Sequence, residues 1–244
     1  MGKNHLKVVA AATISAALGL ASCTGVSPSS FNAPQYEVID HLIACNVAVM
    51  YPNGAGSGVV YAKNGKHYIL TASHVIADEA VKDACPTFGT KPILVCSMRE
   101  DGNEICYASP AKLIFVDPEN DIAILEFEKE PTNEVQVSQF YFGNIRIGDR
   151  VYAVGNSSLD INSVSTGIVQ HTNRSPIADK GKRKFIQTNC SGGPGLSGGG
   201  LYLENGACIG IVILKNDSSQ SLYAMPITKI REVVSQSCNK DISP

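Results

Sequence analysis

The chain has 244 residues, 44% of them hydrophobic and 17% charged, with a mean hydropathy of +0.03; this composition excludes both a disordered chain and a polytopic membrane protein. Lys and Arg number 20 against 22 Asp and Glu, and the formal charge of −2 gives no electrostatic reason to bind nucleic acid. The 22 Gly and 12 Pro, with no Trp, favour turns and short strands, and the lack of heptads or a fixed-period repeat excludes coiled coils and solenoids.

Lys3 and Lys7 precede an uncharged apolar stretch, residues 8–20, whose 13 residues fall short of the ~20 needed to span a bilayer. The stretch fits the hydrophobic part of an export signal over residues 1–22. Leu20-Ala21-Ser22-Cys23 resembles a bacterial lipobox, which implies cleavage before Cys23 and lipidation of its thiol. Residues 23–35 are then the lipidated Cys and a Ser/Pro-rich tether, and the folded part is expected in the cell envelope, periplasm-facing or at the cell surface.

From residue 36 onward short apolar runs alternate with turn signals. SGVVYA (57–62) and HYILT (67–71) flank Asn64-Gly65, ILVC (93–96) and ICY (105–107) flank Asp101-Gly102, and LYL (201–203) and CIGIVIL (208–214) flank Asn205-Gly206. Further strands are expected at 45–51, 111–117, 122–127, 149–154, 164–170, 184–189 and 221–225. So many short strands predict an all-β protein, built as antiparallel barrels or a sandwich. Pro131, Asn133 and mixed charge make 128–140 the link between two halves. Ile227, Ile230, Val233 and Val234 recur at helical spacing after Pro226 and predict a helix over 227–237.

Beyond Cys23 there are seven cysteines: Cys45, Cys85, Cys96, Cys106, Cys190, Cys208 and Cys238. None is in CxxC spacing, so no zinc site is expected. In an oxidising compartment the pairings to test are Cys96–Cys106, Cys190–Cys208 and Cys45–Cys238, and the odd count leaves one thiol free or paired between chains.

Three strings carry chemistry. YILTASHVI places His74 just beyond a strand, PENDIAILEF places Asp121 just before one, and Pro194-Gly195-Leu196-Ser197-Gly198-Gly199-Gly200 sets a serine among glycines. Each alone is ordinary: a hydrogen-bonding histidine, a turn aspartate, a flexible loop. Together, in the order His, Asp, Ser, they match the needs of nucleophilic catalysis. A serine hydroxyl needs an imidazole to take its proton, the imidazole needs a carboxylate to hold its tautomer, and the oxyanion needs fixed N–H donors. Ser197 is preferred over Ser191 because Gly195 stands two residues before it, and Asp121 over Asp117 because it alone abuts the strand. Lys180, Lys182, Arg183 and Lys184 read as a solvated loop.

At this point the sequence resembles the trypsin-like (chymotrypsin-fold) serine peptidases, and within them the bacterial Deg/HtrA branch. The resemblance runs over roughly residues 45–235 and rests on SGVVY, YILTASHVI, NDIAILEF, IGDRVYAVGN, SVSTGIV, FIQTNCSGGPGLSGGGLY, CIGIVI and YAMPI in that order. It implies two six-stranded antiparallel β-barrels with a C-terminal helix, the N-terminal barrel in 36–132 and the C-terminal barrel plus helix in 133–244. It also implies His74 as base, Asp121 as orienter, Ser197 as nucleophile, and an oxyanion hole at Gly195 and Ser197. A substrate pocket is placed at Ser191, Gly210 and Ile211. With Ser191 at its base, cleavage after Lys or Arg is not expected.

The expected function is therefore a serine endopeptidase acting on envelope polypeptides, requiring no metal or cofactor and no nucleic-acid partner. Its partners would be a protein or peptide substrate and a membrane, through Cys23. Leu196 stands where the family usually has Asn, and no PDZ-like segment follows the last helix, so PDZ-based recruitment is not expected. The rival expectation is a catalytically silent protease fold that captures envelope polypeptides or a partner protein.

Overall fold

The computed structural model describes residues 35–51, 54–76, 93–98, 105–132, 135–157, 160–176, 179–216, 218–237 and 240–244. The expected signal segment, Cys23 and the expected tether up to residue 34 lie outside them, as do Cys85, Cys238 and the side chains of Cys96 and Cys106.

A first barrel is closed by six antiparallel strands: β1 (Asn46–Tyr51), β2 (Gly54–Lys63), β3 (Lys66–Thr71), β4 (Ile93–Met98), β5 (Ile105–Asp117) and β6 (Ile122–Phe127), in the order β1-β2-β3-β6-β5-β4. The second is closed by β7 (Arg150–Ser157), β8 (Asp160–Arg174), β9 (Phe185–Thr188), β10 (Gly200–Leu203), β11 (Cys208–Asn216) and β12 (Ser221–Pro226), in the order β10-β11-β12-β9-β8-β7. The protein is thus all-β with two six-stranded barrels, and closure leaves neither sheet with a free edge. Runs expected separately at 105–107 and 111–117 form one strand, β5.

Alternation explains how one strand serves two cores. In β6, Ala123, Leu125 and Phe127 fill the first barrel, while Ile122 and Ile124 join a larger apolar cluster shared with the second. In β7, Val151 and Ala153 fill the second barrel, while Tyr152 and Val154 join the same shared cluster. Strands buried on both faces read as unbroken apolar runs, which is why IAILEF and CIGIVIL showed no period of two.

Between the barrels the link is stitched to both. Gln136 N donates to Ala44 O at 2.9 Å and Ser138 N to Val60 O at 2.8 Å, while Cys208 N donates to Gln139 O at 2.8 Å. The last helix, Ile227–Gln236, buries Ile227, Ile230 and Val234 on the shared cluster, and a 3₁₀ turn (Lys240–Ile242) follows. There Tyr61 donates its hydroxyl to Ile242 O at 2.5 Å, so the end of the chain reaches back to the first barrel.

Two findings depart from expectation. Residues 35–44 form a helix, α1 (Gln35–Ala44), where tether and first strand were expected to meet; it buries Val38 and Leu42. Cys45, Cys190 and Cys208 are free thiols, which overturns the Cys190–Cys208 and Cys45–Cys238 pairings. The reason is placement. Cys190 packs in the interior of the second barrel, whereas Cys208 belongs to the cluster between barrels. Cys45 Sγ sits 3.4 Å from His41 Nε2. Burial pushes the Cys45 and Cys208 thiols up to about 12, so both stay protonated and unreactive.

Candidate active site

His74 sits in a single helical turn, α2 (Ser73–Ile76), immediately after β3. Asp121 closes the turn into β6 with a left-handed φ of 61°, a conformation that Asp tolerates better than most residues. Because β3 and β6 pair in the barrel, with Thr71 opposite Ala123, the two residues leave neighbouring strand ends together. His74 Nδ1 and Asp121 Oδ2 are 2.7 Å apart, and Asp121 Oδ1 accepts from His74 N and from Ser73 Oγ, both at 2.9 Å. Burial works to raise the Asp121 carboxyl, but the hydrogen bonds and charge of His74 with the Ser73 hydroxyl outweigh it, holding the group below its ordinary value. The Asp121 side chain is 10% exposed and that of His74 46%, so the imidazole's far edge faces the open. Asp117, the other aspartate of the turn, is spent on Asn120 N and Nδ2.

Ser197 arrives from the second barrel, in the turn before β10. Gly198 has φ 84°, and a Cβ there would fall 2.1 Å from Ser57 O and 2.3 Å from Thr71 Oγ1. Only glycine lets the serine turn press against the strand that leads to His74. Most N–H groups of this turn are used: Leu196 N donates to Gly193 O at 3.3 Å, Gly198 N to Val212 O at 2.8 Å and Gly199 N to Leu196 O at 2.9 Å. Among the described residues, the N–H groups of Gly195 and Ser197 have no acceptor. Nor do Ser197 Oγ and His74 Nε2 share a hydrogen bond among the described residues.

Residues 56–211, more than half of the chain, match the trypsin-like peptidase domain. The chain belongs to the trypsin-like peptidase family. It is 32% identical over 188 residues to a probable periplasmic serine protease do/HhoA-like from Haemophilus influenzae, covering 75% of this chain and 36% of that protein. To the periplasmic pH-dependent serine endoprotease DegQ of Escherichia coli K12 it is 33% identical over 187 residues, covering 75% and 37%. The crystal structure of Deg5 superposes with a TM-score of 0.63 at 26% identity, covering 81% of this chain and 90% of that one. The chain therefore spans about a third of the length of these curated relatives.

In this trypsin-like peptidase domain a cavity of about 300 Å³ adjoins the serine turn, lined by Ser191, Leu196 and residues 163–165 of β8 among others. Among the described residues, no acidic side chain lines it. Ser191 is held on β8, its N donating to Ser165 Oγ at 2.8 Å and its own hydroxyl 3.1 Å from the same atom. Gly210 and Ile211 do not line this cavity; Ile211 is fully buried, and a Cβ at Gly210 would meet Met225 O at 2.4 Å.

Sequence reasoning missed Ser73 and Arg183. Arg183 is no solvated charge: its Nε donates to Asp179 Oδ1 at 2.7 Å, its N to Asp179 Oδ2 at 2.7 Å, and its Nη1 lies 3.8 Å from Asp121 Oδ2. Asp179 four residues earlier was the available signal, since that spacing suits an ion pair within one turn. The contact with Asp121 crosses from one barrel to the other, and no local pattern encodes it.

Proposed function

We propose that this chain is a serine endopeptidase that hydrolyses peptide bonds through His74, Asp121 and Ser197. The observation that carries the reading is the 2.7 Å contact between His74 Nδ1 and Asp121 Oδ2. With Nδ1–H donated to the carboxylate, Nε2 is the unprotonated nitrogen at the imidazole's exposed edge.

In this reading Ser197 Oγ attacks the scissile carbonyl carbon while His74 Nε2 takes its proton. Asp121 stabilises the imidazolium, and the N–H groups of Gly195 and Ser197 receive the oxyanion. The intermediate collapses as His74 returns the proton to the leaving amine, and water then cleaves the acyl-enzyme by the same steps reversed. The substrates are polypeptides of the bacterial cell envelope. The periplasmic relatives and the export signal with its lipid-accepting Cys23 support that placement. A cavity with no acid among the described residues that line it supports a preference against Lys and Arg beside the scissile bond.

The test is cleavage of an unfolded polypeptide by the full chain purified in detergent. Ser197→Ala is expected to lower kcat by a factor on the order of 10⁶. Undiminished turnover in that variant would remove Ser197 from the reaction.

A further inference from the structure

Ser57 of β2 has no exposed surface and reaches the serine turn with both its N and its Oγ. Its N donates to Ser197 O at 2.8 Å. Its Oγ is 2.8 Å from Gly195 O and 2.7 Å from Asn156 N. An amide N–H can only donate and a carbonyl can only accept, so the hydroxyl rotor is fixed: it accepts from Asn156 and gives its single proton to Gly195 O. Ser57 O in turn accepts from Thr71 Oγ1 at 2.7 Å, which anchors the residue in its own barrel.

The two carbonyls that Ser57 grips belong to Gly195 and Ser197, the residues whose N–H groups have no acceptor among the described residues. Around that turn the torsions are otherwise restrained. Pro194 has a ring-locked φ, and Leu196 is held through its N to Gly193 O and its O to Gly199 N. Gly195, at φ 96°, is the soft point, because glycine can rotate its peptide planes with little steric cost. The hydrogen bond from Ser57 Oγ fixes the plane on the C-terminal side of that glycine.

We propose that Ser57 is a positioning residue for the oxyanion turn: from the first barrel it holds the Gly195 and Ser197 carbonyls, keeping both N–H groups free for the developing oxyanion. This inference rests on the peptidase reading above. It adds that the donors of one barrel are set by a side chain of the other, so the transition state senses how the barrels meet. The hydroxyl also ties in the end of β7 through Asn156, making three segments converge on one oxygen.

Ser57→Ala removes the grip on Gly195 O and leaves Asn156 N without its acceptor. The full chain in detergent is assayed with a peptide substrate, with a peptide boronic acid built on the cleaved sequence, and with the product peptide. Outright loss of one oxyanion donor costs about 10²–10³ in kcat; a donor left in place but unsteadied is expected to cost less, about tenfold to a hundredfold. KM and product affinity should stay within about twofold, and boronate affinity should fall by the same factor as kcat. Ser138→Ala, which deletes a buried hydroxyl 3.2 Å from Tyr202 OH away from the turn, serves as the stability control and keeps wild-type kcat. Ser57→Cys keeps the volume with a weaker donor, and carries the same comparison if Ser57→Ala does not fold. Unchanged kcat, or a loss without a matching loss of boronate affinity, overturns the role of Ser57 and leaves the peptidase reading standing. A wild-type chain that neither cleaves peptides nor binds the boronate defeats that reading, and this inference with it.

Discussion

Asp121 shows at the scale of one residue how a buried carboxylate is made affordable. Four contacts from three residues face it: Ser73 Oγ, His74 N, His74 Nδ1 and, at 3.8 Å, Arg183 Nη1. Its pKa is lowered in the folded state, so the unfolded chain binds the proton more readily. The stability Asp121 contributes is therefore present above the ordinary carboxylate value near 4 and is lost as pH falls through the lower folded value. Chemical denaturation of wild type and Asp121→Asn across pH 7 to pH 3 checks this. The stability gap is expected to shrink below about pH 4, and a constant gap would show that Asp121 is not depressed. His74 and Asp121 were legible in the sequence because each ends or begins an apolar strand within its own short string. Ser73 and Arg183 were not, because their meaning comes only from what the barrel folds against them.

Among the elements, the connection from β8 to β9 carries the clearest correction. Lys180, Lys182, Arg183 and Lys184 read as a solvated basic run, yet Arg183 and Asp179 have side chains only 16% and 4% exposed. Removing one charge of a buried pair strands the other, at a cost of about 3–5 kcal/mol, while replacing both with apolar groups is often neutral. Arg183→Met is accordingly expected to lower unfolding free energy by that amount, and the double variant with Asp179→Leu to recover most of it. Equal stability of the single and double variants would mean the pair is not the buried unit described. Helix α1 shows a different failure. Val38, Ile39, Leu42 and Ile43 have helical spacing, but a Ser/Pro-rich stretch precedes them and turned the reading toward tether and strand. The hairpins at Asn64-Gly65 and Asn205-Gly206 were legible because their turn chemistry is local.

Across the whole molecule the site is divided between barrels: His74 and Asp121 come from the first, and Ser197 with Gly195 from the second. An apolar cluster drawing on both barrels, the link pinned at Ala44 O, Val60 O and Cys208, and the grip of Ser57 together fix their meeting. Barrel closure was legible only through family resemblance, since strand runs alone left a sandwich equally open. The Cys190–Cys208 pairing was misread because cysteine counts do not say which face of a sheet a thiol occupies; the two lie in separate clusters. The central claim is that Ser197 is an armed nucleophile. Its most direct measurement treats the full chain in detergent with a fluorophosphonate probe and maps the labelled peptide. The account predicts label on Ser197 that disappears in His74→Ala; label on Ser191, or no label on the folded protein, would contradict it.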